Sequence, residues 1–140
     1  MDRILDHARF GPLHLRRTDI AQLLVDAMRY RQEQLQHFQL HAFVIMANHV
    51  HVLITPRVEV SELMHSLKRF TARKPNLILG LTGQPFWQDE SYDRLVRDEL
   101  EFRRIVKYIE LNPVKAGLVT APEAFPWSSA AKSGMNLIRP

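Results

Sequence analysis

Residues 49–51 read His49-Val50-His51, and the chain runs straight on into Val52-Leu53-Ile54-Thr55, a β-favouring stretch. Strand side chains alternate faces, so His49 and His51 share one face while Val50 and Val52 point into the opposite layer. The segment therefore asks for a sheet that is apolar behind and carries two imidazoles in front, roughly 7 Å apart along the strand. Neutral imidazole is the commonest protein ligand for metals, and two on one face can share an ion. The alternative is a pair of half-exposed strand histidines with no ligand, and spacing alone does not separate the two.

Size and composition narrow the fold. A chain of 140 residues predicts one domain, numbered 1–140, with room for a core but not for a (β/α)8 barrel of roughly 250 residues. No apolar run approaches the ~20 residues that span a bilayer, and the start Met1-Asp2-Arg3 does not resemble a signal peptide. There is no cysteine, so disulfides and thiolate sites are excluded and any metal must use His, Asn, Gln or carboxylates. These features fit a cytoplasmic protein with no membrane partner. The formal net charge of +4 and pI of 9.8 favour an anionic partner such as nucleic acid.

Periodicity predicts a helix over 19–36, with Ile20, Leu23, Leu24, Ala27 and Met28 at helical spacing after a Thr18/Asp19 cap. Strands follow at 39–46 and 49–55, joined through Ala47-Asn48 as a hairpin. Ser61 reads as the cap of a helix to Arg73 with Leu63, Met64, Leu67 and Phe70 inward. Residues 75–85 hold Pro75, Gly80, Gly83 and Pro85 and read as a loop. A strand at Tyr92–Val96 precedes a helix capped by Asp98, with core stripe Phe102, Ile105, Val106 and Ile109, punctuated by Pro113 and Gly117. The tail after Pro122 is turn-rich, with Trp127 as an anchor. The order predicts an α+β, ferredoxin-like antiparallel sheet with helices on one face and an extra C-terminal helix carrying a tyrosine. Residues 1–15 offer no convincing strand, since Phe10-Gly11-Pro12 interrupts them, so the first strand is expected to be missing.

On the last helix, Tyr108 lies at the border of the core stripe, and Asn112 follows at i+4, about 40° away. The pair can present a phenol and a carboxamide together. It can equally be a border tyrosine and an asparagine ending the helix, because the residue before Pro113 is pushed out of the α region. A phenol, with a pKa near ~10, is a poor nucleophile unless a cation stabilises its developing charge. That is a reason for a metal and a tyrosine to share one site, attacking a phosphodiester.

The run Ala42 to Leu53, with Ala47-Asn48-His49-Val50-His51, resembles the His-hydrophobic-His (HUH) motif of single-tyrosine transposases of the IS200 type. Phe86-Trp87-Gln88, Tyr92-Asp93 and Tyr108-Ile109-Glu110-Leu111-Asn112-Pro113 resemble the rest of that family, and most of all its REP-associated tyrosine transposases, whose helix carries Tyr-Ile-x-x-Asn-Pro. The match runs from about Leu5 to Ala130. The resemblance implies a Mg²⁺- or Mn²⁺-dependent endonuclease and strand transferase of DNA transposition, acting on single-stranded or hairpin DNA as monomer or homodimer. It implies His49 and His51 as metal ligands, Asn112 as a further ligand where other members use Gln, and Tyr108 as the nucleophile that ends joined to a 5′-phosphate. Relatives place a central strand before the first helix, so this chain is expected to be N-terminally truncated; Ala47 also stands where the motif usually has proline.

Lys68, Arg69, Arg73 and Lys74, aided by Arg103, Arg104, Lys107 and Lys115, read either as a phosphate-tracking patch or as a solvated basic face. Phe86 and Trp87 suit stacking on a base but more often would be core. Tyr92 is a competing nucleophile without a helical partner, and His41 a strand residue within reach of the site; His7, His14, His37 and His65 receive no role. Two rivals to the enzyme stand: a non-catalytic DNA-binding remnant, favoured by a missing strand, and a metal hydrolase, disfavoured by chain length.

Overall fold

A computed structural model describes residues 3–7, 18–47, 49–80, 82 and 91–131, with the side chains of 3–7, 71–72 and 91–94 outside the description. The elements run β1 (Arg3–His7), α1 (Thr18–Glu33), β2 (Phe38–Ile45), β3 (Val50–Pro56), α2 (Val60–Leu79), β4 (Ser91–Leu95) and α3 (Glu99–Lys115), then a 3₁₀ turn at Pro122–Ala124. The sheet is antiparallel in the order β2-β3-β1-β4.

The expected loss of the first strand is corrected by this topology. β1 is central, pairing with β3 through Arg3↔Ile54 to His7↔Val50 and with β4 through Arg3↔Leu95 to His7↔Ser91. Five residues with charged or polar members at both ends carry a weak strand signal of their own. Ladder bonds along both edges supply what propensity does not. Phe10-Gly11-Pro12 lies outside the described residues.

The alternation in β3 divides the interior into two layers. Val50, Val52 and Ile54 pack with Phe38, Leu40, Phe43 and Ile45 of β2 against Ile20, Leu24, Val25 and Met28 of α1 and Leu63 of α2. Leu53 on the other face joins Ala42, Val44 and Met46 against Phe102, Ile105 and Ile109 of α3. So α1 and α2 cover one face, as expected, whereas α3 covers the opposite one. A register shift between Leu40 and Ala42 makes this possible. Phe38 and Leu40 are even positions and Phe43 and Ile45 odd, yet all four share a layer, because the one extra residue of a bulge inverts the alternation. The Leu40 N–H at the bulge donates to Gln32 Oε1 at 2.6 Å.

Both later helices outrun their sequence boundaries. α2 starts after Glu59 rather than at a Ser61 cap, continues through the buried Pro75, and stops where Gly80 takes the left-handed region at φ 71°. Leu63 is buried as expected, but Phe70 is 39% exposed and lies over the Arg31 guanidinium at 5.1 Å. Arg31 donates through Nη2 to Ser66 O and Oγ at 3.3 and 3.2 Å, tying α1 to α2, and burial pushes its pKa below the ordinary value. α3 begins at the Asp98 cap, whose carboxylate accepts from Glu101 N–H at 2.8 Å. It passes through Pro113 instead of ending at Asn112. Its end is closed by Leu118 N–H donating to Pro113 C=O and Gly117 N–H to Val114 C=O, both 3.0 Å, with Gly117 at φ 74°. These are the two bonds of a Schellman motif, which requires a left-handed residue at that point.

Candidate active site

His49 stands at the entrance of β3 and His51 one pleat further on. The Met46 N–H donates to His49 C=O at 2.8 Å and closes the hairpin across positions 47 and 48; Asn48 is outside the described residues. The two imidazoles face α3, with ring centres 4.8 Å apart at an interplanar angle of 77°. His51 is buried and His49 half-buried. One strand serves two layers: its valines build the core beneath α1 and α2, and its histidines stand on the face that α3 covers.

α3 brings the phenol to them. Ile109 is fully buried against the sheet, and its neighbour Tyr108, turned about 100° away around the helix, is 46% exposed. The Tyr108 ring meets His51 edge-on with centres 5.6 Å apart. Its hydroxyl makes no hydrogen bond to another described residue. Lys115 Nζ lies 5.8 Å from the centre of the Tyr108 ring, placing a positive charge beside the phenol. This position follows from i, i+7 spacing, a signal the sequence contains but which sets Lys115 apart only once the helix is known to run through Pro113.

Asn112 is half-buried one turn beyond Tyr108 and still helical; its carboxamide makes no hydrogen bond to another described residue. The donor chemistry fits a divalent ion: two imidazoles on one face, with an amide and a phenol on the helix above. Among the described residues no cluster of three His, Cys, Asp or Glu side chains exists.

The structure separates the basic residues that a linear reading grouped. Arg104 and Lys107 are exposed on α3, on the tyrosine side of the sheet, and neither makes an ion pair with a described residue. Arg103 is committed to Glu99 at 2.7 Å. Arg69, Arg73 and Lys74, exposed, and Lys68, half-buried, are on α2, across the sheet from Tyr108. His41 is buried, with Nε2 2.6 Å from Thr55 Oγ1 and its ring edge-on to Phe102 at 5.1 Å, so its place in the fold is structural. The Tyr92 side chain, Phe86 and Trp87 lie outside the described residues.

Comparison with known proteins agrees with this architecture. Residues 15–112 match the model of the IS200-like transposase family. The fold is similar to that of a REP-associated tyrosine transposase bound to a REP hairpin, at TM-score 0.69 and 24% identity, covering 91% of this chain and 75% of that one. It is also similar to a candidate transposase from Deinococcus radiodurans R1, at TM-score 0.56 and 24% identity, over 79% of this chain and 88% of that one. No curated protein matches. The chain belongs to the IS200-like transposase family. It is an enzyme of the single-tyrosine transposase class, and its role is DNA transposition. No helix among the described residues is long and apolar enough to cross a membrane.

Proposed function

We propose that the chain is a metal-dependent endonuclease and strand transferase for single-stranded, hairpin-forming DNA, with Tyr108 as nucleophile and a 5′-phosphotyrosine intermediate. The observation that carries this reading is the half-exposed Tyr108 ring set against His51, beside His49, on one chain. His49, His51 and the side-chain oxygen of Asn112 would hold Mg²⁺ or Mn²⁺, which when bound supplies neutralisation of the charge gathering on phosphate and phenolate. Because the phenol and both imidazoles belong to one chain, a monomer contains the site, and a homodimer would contain it twice.

The residues divide the work. Tyr108 Oη attacks phosphorus while the bond to the 3′-oxygen breaks; that oxygen leaves as a 3′-OH after gaining a proton, and the downstream strand stays on Tyr108 through its 5′-phosphate. A 3′-OH then attacks the same phosphorus, the bond to the tyrosine oxygen breaks, and the phenol recovers its proton. Lys115, Arg104 and Lys107 would draw the scissile strand onto α3 by phosphate contacts. Lys68, Arg69, Arg73 and Lys74 would hold a more distant part of the DNA, since the sheet stands between them and Tyr108. That the similar REP-associated transposase is bound to a REP hairpin supports hairpin DNA as the partner.

The rival reading, a non-catalytic DNA-binding remnant, drew its argument from a missing central strand, and β1 removes that argument. The test is cleavage of a single-stranded hairpin DNA with Mn²⁺, resolved on denaturing gels after protease digestion. A DNA–peptide adduct formed by the wild type and absent from Tyr108→Phe and His49→Ala is expected. An adduct persisting in Tyr108→Phe would overturn the choice of nucleophile, and folded wild type that binds hairpin without cleaving it would establish the remnant.

A further inference from the structure

The segment after α3 does more than end the chain. Ser128 bridges Val44 of the edge strand β2 in antiparallel fashion. Ile45 N–H donates to Trp127 C=O at 2.8 Å and Ser129 N–H to Phe43 C=O at 2.9 Å, so the edge donors and acceptors of β2 are engaged on both sides of the bridge. The same segment reaches into both layers. Phe125 packs on the cluster beneath α3, and Trp127 on the cluster beneath α1 and α2. It thus wraps the sheet edge rather than lying along one face.

One of its side chains grips the tyrosine helix. Ser129, buried, accepts at Oγ from Phe43 N–H at 3.0 Å and has Glu110 Oε2 at 2.6 Å, with Phe43 C=O further off at 3.3 Å. A hydroxyl has one proton to give, and the shorter, charge-assisted interaction takes it, so Ser129 donates to Glu110. Around α3, Glu110 and Tyr108 stand on opposite flanks of the buried Ile109, each about 100° from it. Ile109 is thus a pivot: Glu110 is tied to the β2 edge on one side, and Tyr108 faces His51 of β3 on the other. A roll of about 10° about the helix axis moves an atom ~8 Å from that axis by roughly 1.4 Å, on a helix whose backbone radius is ~2.3 Å. A shift of that size in a reacting group is worth about 100-fold in rate.

We infer that Phe125–Ser129 is a clip that fixes the roll of the tyrosine helix, with Ser129 and Glu110 as positioning residues that hold the Tyr108 phenol over the histidine pair. The inference rests on Tyr108 as the nucleophile, so Tyr108→Phe is run in parallel to separate failure of that reading from failure of the clip. Single-turnover cleavage at saturating hairpin DNA is compared with hairpin affinity for Ser129→Ala, Glu110→Ala and Glu110→Gln. Ser129→Ala and Glu110→Ala should cleave about 10- to 100-fold more slowly with Kd within about twofold, because the DNA-binding side chains are untouched. Glu110→Gln keeps an acceptor oxygen for the hydroxyl and should stay within about threefold of wild type. The double variant Glu110→Ala/Ser129→Ala should be slowed by less than the product of the two single losses, since both remove the Ser129–Glu110 hydrogen bond. Amide exchange of α3 gives a readout independent of chemistry: protection of 105–112 should fall in Ser129→Ala. Wild-type cleavage rates in the two alanine variants, equal losses of binding and cleavage, or unchanged α3 protection would each overturn the clip. Should Ser129→Ala not fold, the half-buried Glu110→Ala and Glu110→Gln pair decides the matter.

Discussion

Tyr108 and Ile109 are chain neighbours with opposite duties, and exchanging each for a smaller residue should separate stability from chemistry. Ile109 is fully buried among Ala42, Val44, Leu53, Phe102 and Ile105. Ile109→Ala deletes three carbons, worth roughly 2.5 kcal/mol at ~0.8 kcal/mol per buried methylene, and leaves a cavity that raises the total within the range of about 2–5 kcal/mol. Taking about 3 kcal/mol, and an unfolding entropy of ~2.1 cal/mol/K per residue over 140 residues, Tm should fall by roughly 10 °C. Tyr108→Phe removes only a hydroxyl without a described hydrogen-bond partner from a side chain 46% exposed, so its stability change should lie within about 0.5 kcal/mol. The assay is urea unfolding followed by circular dichroism, with adduct formation scored on the same preparations. Ile109→Ala should shift the midpoint with the slope unchanged, and Tyr108→Phe should abolish the adduct with the midpoint in place. A shift below about 1 kcal/mol for Ile109→Ala would refute the packing of α3 on the sheet. A shift for Tyr108→Phe matching that of Ile109→Ala would refute an accessible phenol.

His41→Ala should lower stability by about 1–3 kcal/mol, because it removes the buried hydrogen bond to Thr55 and the packing on Phe102, yet leave the Mn²⁺ dependence of cleavage unchanged, as a metal titration of the variant would show. Gly117→Ala should cost about 1 kcal/mol in urea unfolding, because φ is 74° while nothing lies within 4 Å of an added Cβ, so the penalty is backbone strain alone. Replacing Arg104 and Lys107 by alanine should weaken hairpin binding across sequences and reduce the slope of log K against log salt by about 0.7 to 0.9 for each phosphate no longer neutralised, measured by fluorescence anisotropy from low to moderate salt.

The hairpin and the helices were legible in the chain because each rests on a local period, whereas the meeting of Tyr108 with the histidines was expected only from the chemistry of a metal-assisted phenol and from the family resemblance. Alternation across His49-Val50-His51 assigned faces correctly, and the stripe of Phe102, Ile105 and Ile109 located the buried side of α3. β1 was not legible. Arg3-Ile4-Leu5-Asp6-His7 is held by partners 43 to 92 residues away in sequence, and a period of two over five residues says little without them. Pro75 and Pro113 misled for a related reason: a proline costs a helix about 3 kcal/mol, but packing of the buried ring and the cap beyond it carried both helices on to Gly80 and Gly117. The basic residues looked like one patch because a sequence has no faces. Only the sheet shows that Lys74 and Lys107 are on opposite sides of it. Ser129 gave no signal at all, since one hydroxyl against one carboxylate has no period.

The placement of Tyr108, the proposed nucleophile, beside the most buried residue of α3 follows from helical geometry. A nucleophile must be exposed enough to meet DNA and fixed enough to meet it in one pose. Residues at i−1 and i+1 of a buried position lie about 100° to either side of it, at the rim where a helix leaves its sheet. Such a rim side chain has solvent on one hand and the sheet on the other, which is what Tyr108 has with bulk water and His51. The same geometry leaves a weakness, because a single stripe of buried side chains, Phe102, Ile105 and Ile109, resists sliding and lifting but only partly resists rolling. A second attachment on the opposite rim removes that freedom with little loss of exposure at the first. Glu110 occupies that rim, and the chain returns past the sheet edge to meet it with Ser129. With Tyr108 as the proposed nucleophile, the requirement for an exposed but immobile phenol would account for a tail that spans both layers, while its cover of β2 also protects an edge strand that would otherwise stand open.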